Sequence, residues 1–170
     1  YIDDVVETII DKIDNIEKFD GFNILESEIT YEEKLKDIAD LIQSFKESRK
    51  NLLLKKVGTN FNRALYSTYL SYVRPENFSY KLKENKDERG VFVEMLKTVD
   101  SGQFSFFTAH PGITRGGHYH HSKNEKFLVL KGKAHFKFKN IITSQKYEIF
   151  TSDALPEVVD SVPGWSHDIT

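Results

Sequence analysis

His118 and His120 sit one residue apart, Glu125 follows five residues later, and His167 stands far along the chain. On a strand, residues two apart point to the same side. Glu125, just past the next turn, can swing onto the two histidines, and His167 can close the set. Three imidazoles and one carboxylate suit a borderline transition metal. The chain has no cysteine, so any metal must be held by nitrogen and oxygen donors, and no disulfide framework exists. Zinc is the first choice, and iron, nickel or manganese would accept the same donors.

The surrounding residues sharpen this reading. Gly112, five residues, His118, one residue, His120, four residues, Glu125, six residues and Gly132 match the spacing of the first cupin motif at every fixed position. The second cupin motif is partial. Pro163-Gly164-Trp165-Ser166-His167 supplies its proline turn and histidine, but lacks the usual residue between Pro and Gly, and Glu157 replaces a glycine. The expected metal ligands are therefore His118, His120, Glu125 and His167. Of the six histidines, His135 alternates with Lys133, Lys137 and Lys139, opposite Ala134, Phe136 and Phe138, which places it on an outward face. His121 falls opposite His118 and His120 on a regular strand and reads as surface. His110, before Pro111, reads as structural.

The elements that must position these residues fall into two parts. Residues 1–75 read as helices. Asp4 with Glu7, and Thr30 with Glu33, have capping-box spacing. Val6, Ile9, Ile10, Ile13 and Ile16 repeat at helical spacing, as do Leu35, Ile38, Ala39, Ile42 and Phe45. Phe19 to Glu28 reads as irregular. Residues 51–75 are transitional, with Tyr66, Tyr69, Leu70, Tyr72 and Val73 expected to pack between two domains, and Pro75 marks the boundary. From residue 76 the period becomes two. Strands are expected at Val91–Lys97, Gln103–Ala109, His118–His121, Lys126–Leu130, Ala134–Lys139, Lys146–Phe150 and Glu157–Val162. Many short strands with turn residues between them predict a mostly β sandwich or barrel.

Composition limits the partners. The net charge is −2, and residues 1–47 carry fourteen acids against five bases, which argues against nucleic acid. No apolar run reaches membrane-spanning length and no signal peptide is present, so the chain reads as cytoplasmic. It begins at Tyr1 and ends at Thr170, and is expected to be a piece of a longer protein.

Three stretches resemble one family. Asp87-Glu88-Arg89-Gly90 with Val91 to Glu94, Pro111 to His121, and Lys123 to Val129 resemble the cupin domain of CapF-type capsular polysaccharide synthesis enzymes. Leu65 to Tyr72 resembles the segment that joins that cupin to a reductase. Tyr1 to Val6 resembles a late strand-to-helix segment of an extended short-chain dehydrogenase/reductase. The resemblance implies a cupin jelly-roll barrel over 76–170, apparently cut short at its C-terminus so that a barrel edge would be open. It implies a small α-helical remnant of an α/β reductase over 1–75. It also implies a bifunctional parent on the route to UDP-N-acetyl-L-fucosamine. The zinc cupin would epimerise C3 of a UDP-2-acetamido-2,6-dideoxy-4-ketohexose, and the reductase would use NADPH at C4.

No glycine-rich dinucleotide fingerprint is present, and the Tyr119 to Lys123 match to a reductase motif lies inside the metal motif, so the reductase is mostly missing. A homodimer is expected. Tyr119, His121 and Lys123 are candidate bases by proximity. Arg115, Lys123 and Lys126 are candidate partners of a diphosphate, with ordinary surface charge as the alternative, and Trp165 or Tyr119 is a candidate stacking ring for a sugar or uracil, with a place in the core as the equal alternative. Two other readings compete: an iron-dependent cupin oxygenase, and a non-catalytic, metal-stabilised module for oligomerisation.

Overall fold

The computed structural model describes residues 2–16, 21–22 and 24–170. Phe19, Asp20 and Asn23 of the expected irregular segment lie outside them. The fold is mostly β with a small helical N-terminal part, as expected. The chain forms two compact units. One comprises residues 1–82 and 94–104, the other residues 83–93 and 105–170.

The first unit holds α1 (Ile2–Asp14), α2 (Leu35–Asn51), β1 (Leu53–Leu54) and α3 (Asn60–Ser71). Both capping-box expectations fail. α1 already starts at Ile2, which puts Asp4 inside its first turn, where its charge favours the helix dipole. α2 starts at Leu35 after an extended Lys34, with no side-chain cap. The two apolar stripes exist but are mostly exposed. No residue of α1 is buried, and in α2 only Phe45 is, at 1% exposure. Spacing marks which face is apolar and does not say what covers it. The transitional segment turns out to contain α3, whose Tyr66 and Tyr69 pack on Phe45 at ring distances of 4.9 and 5.7 Å. These tyrosines therefore serve the unit's own core, while Tyr72 is exposed. α2 ends with Leu52 in the left-handed region, its N–H donating to Ser48 O, and β1 then pairs in parallel with Lys97 and Thr98.

The second unit carries the strands that matter for the site. β2 (Glu84–Asp87) turns into β3 (Gly90–Thr98), and β4 (Gln103–Phe107) lies beside β3; residues 94–98 and 103–104 of these two strands count with the first unit. Then come β5 (Arg115–His118), β6 (Glu125–Leu128), β7 (Lys133–Asn140), β8 (Lys146–Ser152), β9 (Val158–Ser161) and β10 (Trp165–Ile169). β5, β10, β7 and β8 form one antiparallel sheet in that order, and β6 pairs with β9. Phe136 and Phe138 of β7 and Val159 of β9 share one core cluster, with Phe127, Ala134, Ile149, Trp165 and Ile169 around it. The β6–β9 pair therefore faces the inner side of the four-stranded sheet.

The strand expectations need correction, and β1 and β2 were not among them. The strand expected at His118–His121 lies at Arg115–His118, so His120 follows it. β10 was not anticipated at all, since Pro163 to His167 suggested a turn carrying a histidine. The open edge expected of a shortened barrel is not beside the last strand. β10 runs between β5 and β7, and Thr170 exchanges two backbone hydrogen bonds with His135.

Candidate metal site

His118 ends β5 directly opposite His167 of β10. Their rings lie 4.8 Å apart. This closeness requires glycine at 116, where φ is +120° and an added Cβ would come within 2.3 Å of the His167 carbonyl oxygen. Gly117 is also left-handed, and the ladder to β10 bulges between His167 and Asp168. These features end β5 at His118 and turn the chain. The Gly164 N–H then donates to His120 O at 3.0 Å, which ties the first histidine segment to the proline turn. The His120 ring comes within 5.0 Å of His118 and 6.0 Å of His167.

Glu125, the first residue of β6, completes the group. Its Oε2 is 3.1 Å from His120 Nε2 and 3.4 Å from His167 Nε2, while Lys123 Nζ donates to its Oε1 at 2.7 Å. Donor atoms of His118, His120 and Glu125 all lie within 4.8 Å of one another. His167 adjoins this trio through Glu125 and through its ring contact with His118. His118 is exposed, His120 and Glu125 are half-buried, and His167 is 2% exposed. The group is thus anchored in the core and open on the His118 side.

The electrostatics favour metal-ready protonation states. Burial, then the neighbouring His118, pushes the His167 pKa below its ordinary value, so its imidazole is neutral near pH 7. Burial pushes Glu125 upward, but hydrogen bonds and charge from Lys123 and His120 outweigh it and hold the carboxyl below its ordinary value. A neutral imidazole beside a charged carboxylate is the form in which such groups bind cations. The donor chemistry fits the group the sequence implied, since every donor is nitrogen or oxygen.

The other expected site residues are distributed differently. Lys123 is brought to the cluster, on Glu125. Tyr119 and His121 pair with each other, ring to ring at 5.2 Å. Arg115 turns to Asp87, Thr108 and the face of Phe107, and its Nε is buried without a hydrogen-bond partner. Lys126 is not brought to the cluster. It lies on the opposite face of β6 from Glu125 and pairs with Asp160 at 2.6 Å. Trp165 packs against the core cluster. His135 lies on the outer face as expected, bonded to Glu148 at 2.8 Å and stacked on Phe150. His110 and His121 are exposed. Sequence reasoning missed Ser161, whose Oγ lies 3.1 Å from His167 Nδ1 in the buried interior. A serine at an inward position of an alternating strand was the available signal.

Residues 85–170 match the family model described as the polysaccharide biosynthesis C-terminal domain. Over all 170 residues the chain is 55% identical to a UDP-2-acetamido-2,6-beta-L-arabino-hexul-4-ose reductase of Pseudomonas aeruginosa, covering 45% of that protein. Among solved structures it resembles CapF with the inhibitor 3-isopropenyl-tropolone (TM-score 0.86, 40% identity, 99% of this chain and 49% of that one). It also resembles the capsular polysaccharide assembling protein CapF from Staphylococcus aureus (TM-score 0.84, 40% identity, 99% of this chain and 46% of that one). The chain spans about half the length of these relatives. Among the described residues, no helix is long and apolar enough to cross a membrane.

Proposed function

Since the chain belongs to the polysaccharide biosynthesis C-terminal domain family, we propose that it is the epimerase part of a longer sugar-nucleotide enzyme of capsular polysaccharide synthesis. In this reading His118, His120, Glu125 and His167 hold one divalent transition metal, zinc first. The substrate is a UDP-2-acetamido-2,6-dideoxy-4-ketohexose, and the reaction inverts C3. Residues 1–75 belong with an NADPH-dependent reductase and its linker, and 76–170 form the cupin. The parent acts as a cytoplasmic homodimer.

The observation that carries the reading is the convergence of three donor groups within 4.8 Å on a side open to solvent. A site closed on all sides suits a structural ion, whereas an open one leaves room for a substrate oxygen. The name of the 55% identical relative, a hexul-4-ose reductase, points to a ketone at C4. A proton on C3 is then alpha to a carbonyl and acidified by it. The bound metal would polarise that carbonyl oxygen. The chain's own residues do the rest. A base takes the C3 proton from one face and a proton returns to the other. Tyr119 and His121, paired beside the ligand segment, are the candidates for this exchange. Lys123 is engaged with Glu125, so its role is to hold that carboxylate charged and oriented. Arg115 is the candidate for the diphosphate.

The inhibitor of the related CapF gives a chemical probe. A tropolone carries adjacent carbonyl and hydroxyl oxygens, which suit an accessible metal. 3-Isopropenyl-tropolone is expected to bind this chain when metal is loaded and to be lost on chelation.

The test is isotopic. The chain is incubated in D2O with the UDP-4-ketohexose and without NADPH. Deuterium is expected at C3 faster than the spontaneous rate. A folded, metal-loaded chain that gives no exchange in the presence of its missing half overturns the epimerase reading. Oxygen uptake with iron bound would favour an oxygenase instead.

A further inference from the structure

His167 is held at both ring nitrogens. Nε2 faces Glu125 Oε2 at 3.4 Å, and Nδ1 faces Ser161 Oγ at 3.1 Å. Glu125 and Ser161 are direct partners in the β6–β9 ladder, so a single pair of residues grips the imidazole. The other rings around it are His118 at 4.8 Å, Phe127 at 5.8 Å, His120 at 6.0 Å and Phe138 at 6.4 Å. Ser161 is 1% exposed, and Val159 and Ser161 are the inward residues of β9.

A neutral imidazole carries one proton on one of two nitrogens. While Nε2 faces the Glu125 carboxylate alone, the proton belongs on Nε2, and Nδ1 must accept from its partner. For Nε2 to offer a lone pair to a cation, the proton must sit on Nδ1, and the same partner must accept. A hydroxyl can do both by rotating about one bond. A methyl can do neither, and a carboxylate could only accept while adding a charge among phenylalanines.

We propose that Ser161 is a positioning residue that steers the His167 proton, donating to Nδ1 in the metal-free protein and accepting from Nδ1–H when His167 serves as a ligand. This rests on the metal reading above. It predicts that the hydroxyl sets metal affinity without touching metal or substrate. Partners of this kind commonly contribute 10–100-fold to binding.

Two measurements test it. With 15N-labelled imidazole, NMR of the wild-type chain should show His167 protonated on Nε2 without metal and on Nδ1 after zinc is added. Zinc competition titrations should show Ser161→Ala weakened by about 10–100-fold, with Trp165 fluorescence unchanged. Ser161→Thr, which keeps the hydroxyl, should recover most of the affinity. Equal zinc affinity in wild type and Ser161→Ala overturns this inference and leaves the metal reading standing, as does a proton fixed on Nδ1 in the metal-free protein. A wild-type chain that takes up no zinc overturns both.

Discussion

Gly116→Ala should separate the two strands that carry His118 and His167. Gly116 has φ +120°, and an alanine Cβ there would lie 2.3 Å from His167 O and 3.0 Å from Asp168 Cα. Both are backbone atoms of the paired strand, which cannot swing aside as a side chain would. Strained φ costs about 1–3 kcal/mol, and forcing an atom into packed structure adds about 1–3 kcal/mol, so the loss is about 2–6 kcal/mol in total. Gly117→Ala is the internal control. Its φ is +75°, but the nearest atom to a new Cβ is Asp168 Oδ1 at 3.7 Å, so only the left-handed strain of about 1–2 kcal/mol applies. The chain has two compact units, and a whole-chain signal would mix their transitions. Trp165, the sole tryptophan, lies on β10 and reports on the unit that matters. Denaturant unfolding followed by its fluorescence should therefore rank wild type above Gly117→Ala and Gly117→Ala above Gly116→Ala. Zinc affinity should fall in the same order. A Gly116→Ala chain as stable as Gly117→Ala would refute the close-approach argument.

Other outcomes follow from the same geometry. Phe136→Ala removes a core ring at 1% exposure and should cost about 3–5 kcal/mol by the same fluorescence assay. His135→Ala removes an outer-face pair and should leave zinc affinity within about twofold, because exposed pairs contribute little and this one lies away from the donor group. Lys123→Met removes the 2.7 Å bond to Glu125 Oε1, so the pH midpoint for zinc uptake should move upward in a titration series. The metal-free chain should lose stability as pH falls. His167 and Glu125 both have lowered folded pKa values, so the unfolded chain binds their protons more readily. Their contributions are present above the ordinary values of 6.5 and 4.5 and are lost below them. Denaturant midpoints measured between pH 8 and pH 4 check this.

The gathering of His118, His120 and Glu125, with His167 beside them, was legible because these polar residues stand at fixed spacing from glycines that the turns require. Local signals were less reliable. Two capping boxes failed because capping residues are common in polar loops, and the helices began where backbone geometry allowed. β10 escaped notice because a proline turn directly precedes it and its five residues, Trp165 to Ile169, do not alternate in hydrophobicity. Its inward residues include a histidine in place of an aliphatic one, which is the signature of the site itself. The end of β5 at His118 depends on the left-handed Gly116 and Gly117, which mark a bend in sequence but not which strand they meet. Ser161 could be placed inward by alternation, yet only the fold reveals that it meets His167.

The central claim is that four side chains close on one metal ion. X-ray absorption at the metal edge, with elemental analysis of the purified chain, tests it most directly. The account predicts one metal per chain in a shell of nitrogen and oxygen donors, with multiple scattering from three imidazoles. That signal should drop to two imidazoles in His167→Gln and in His118→Ala. An oxygen-only shell, or a spectrum unchanged by both substitutions, would contradict it.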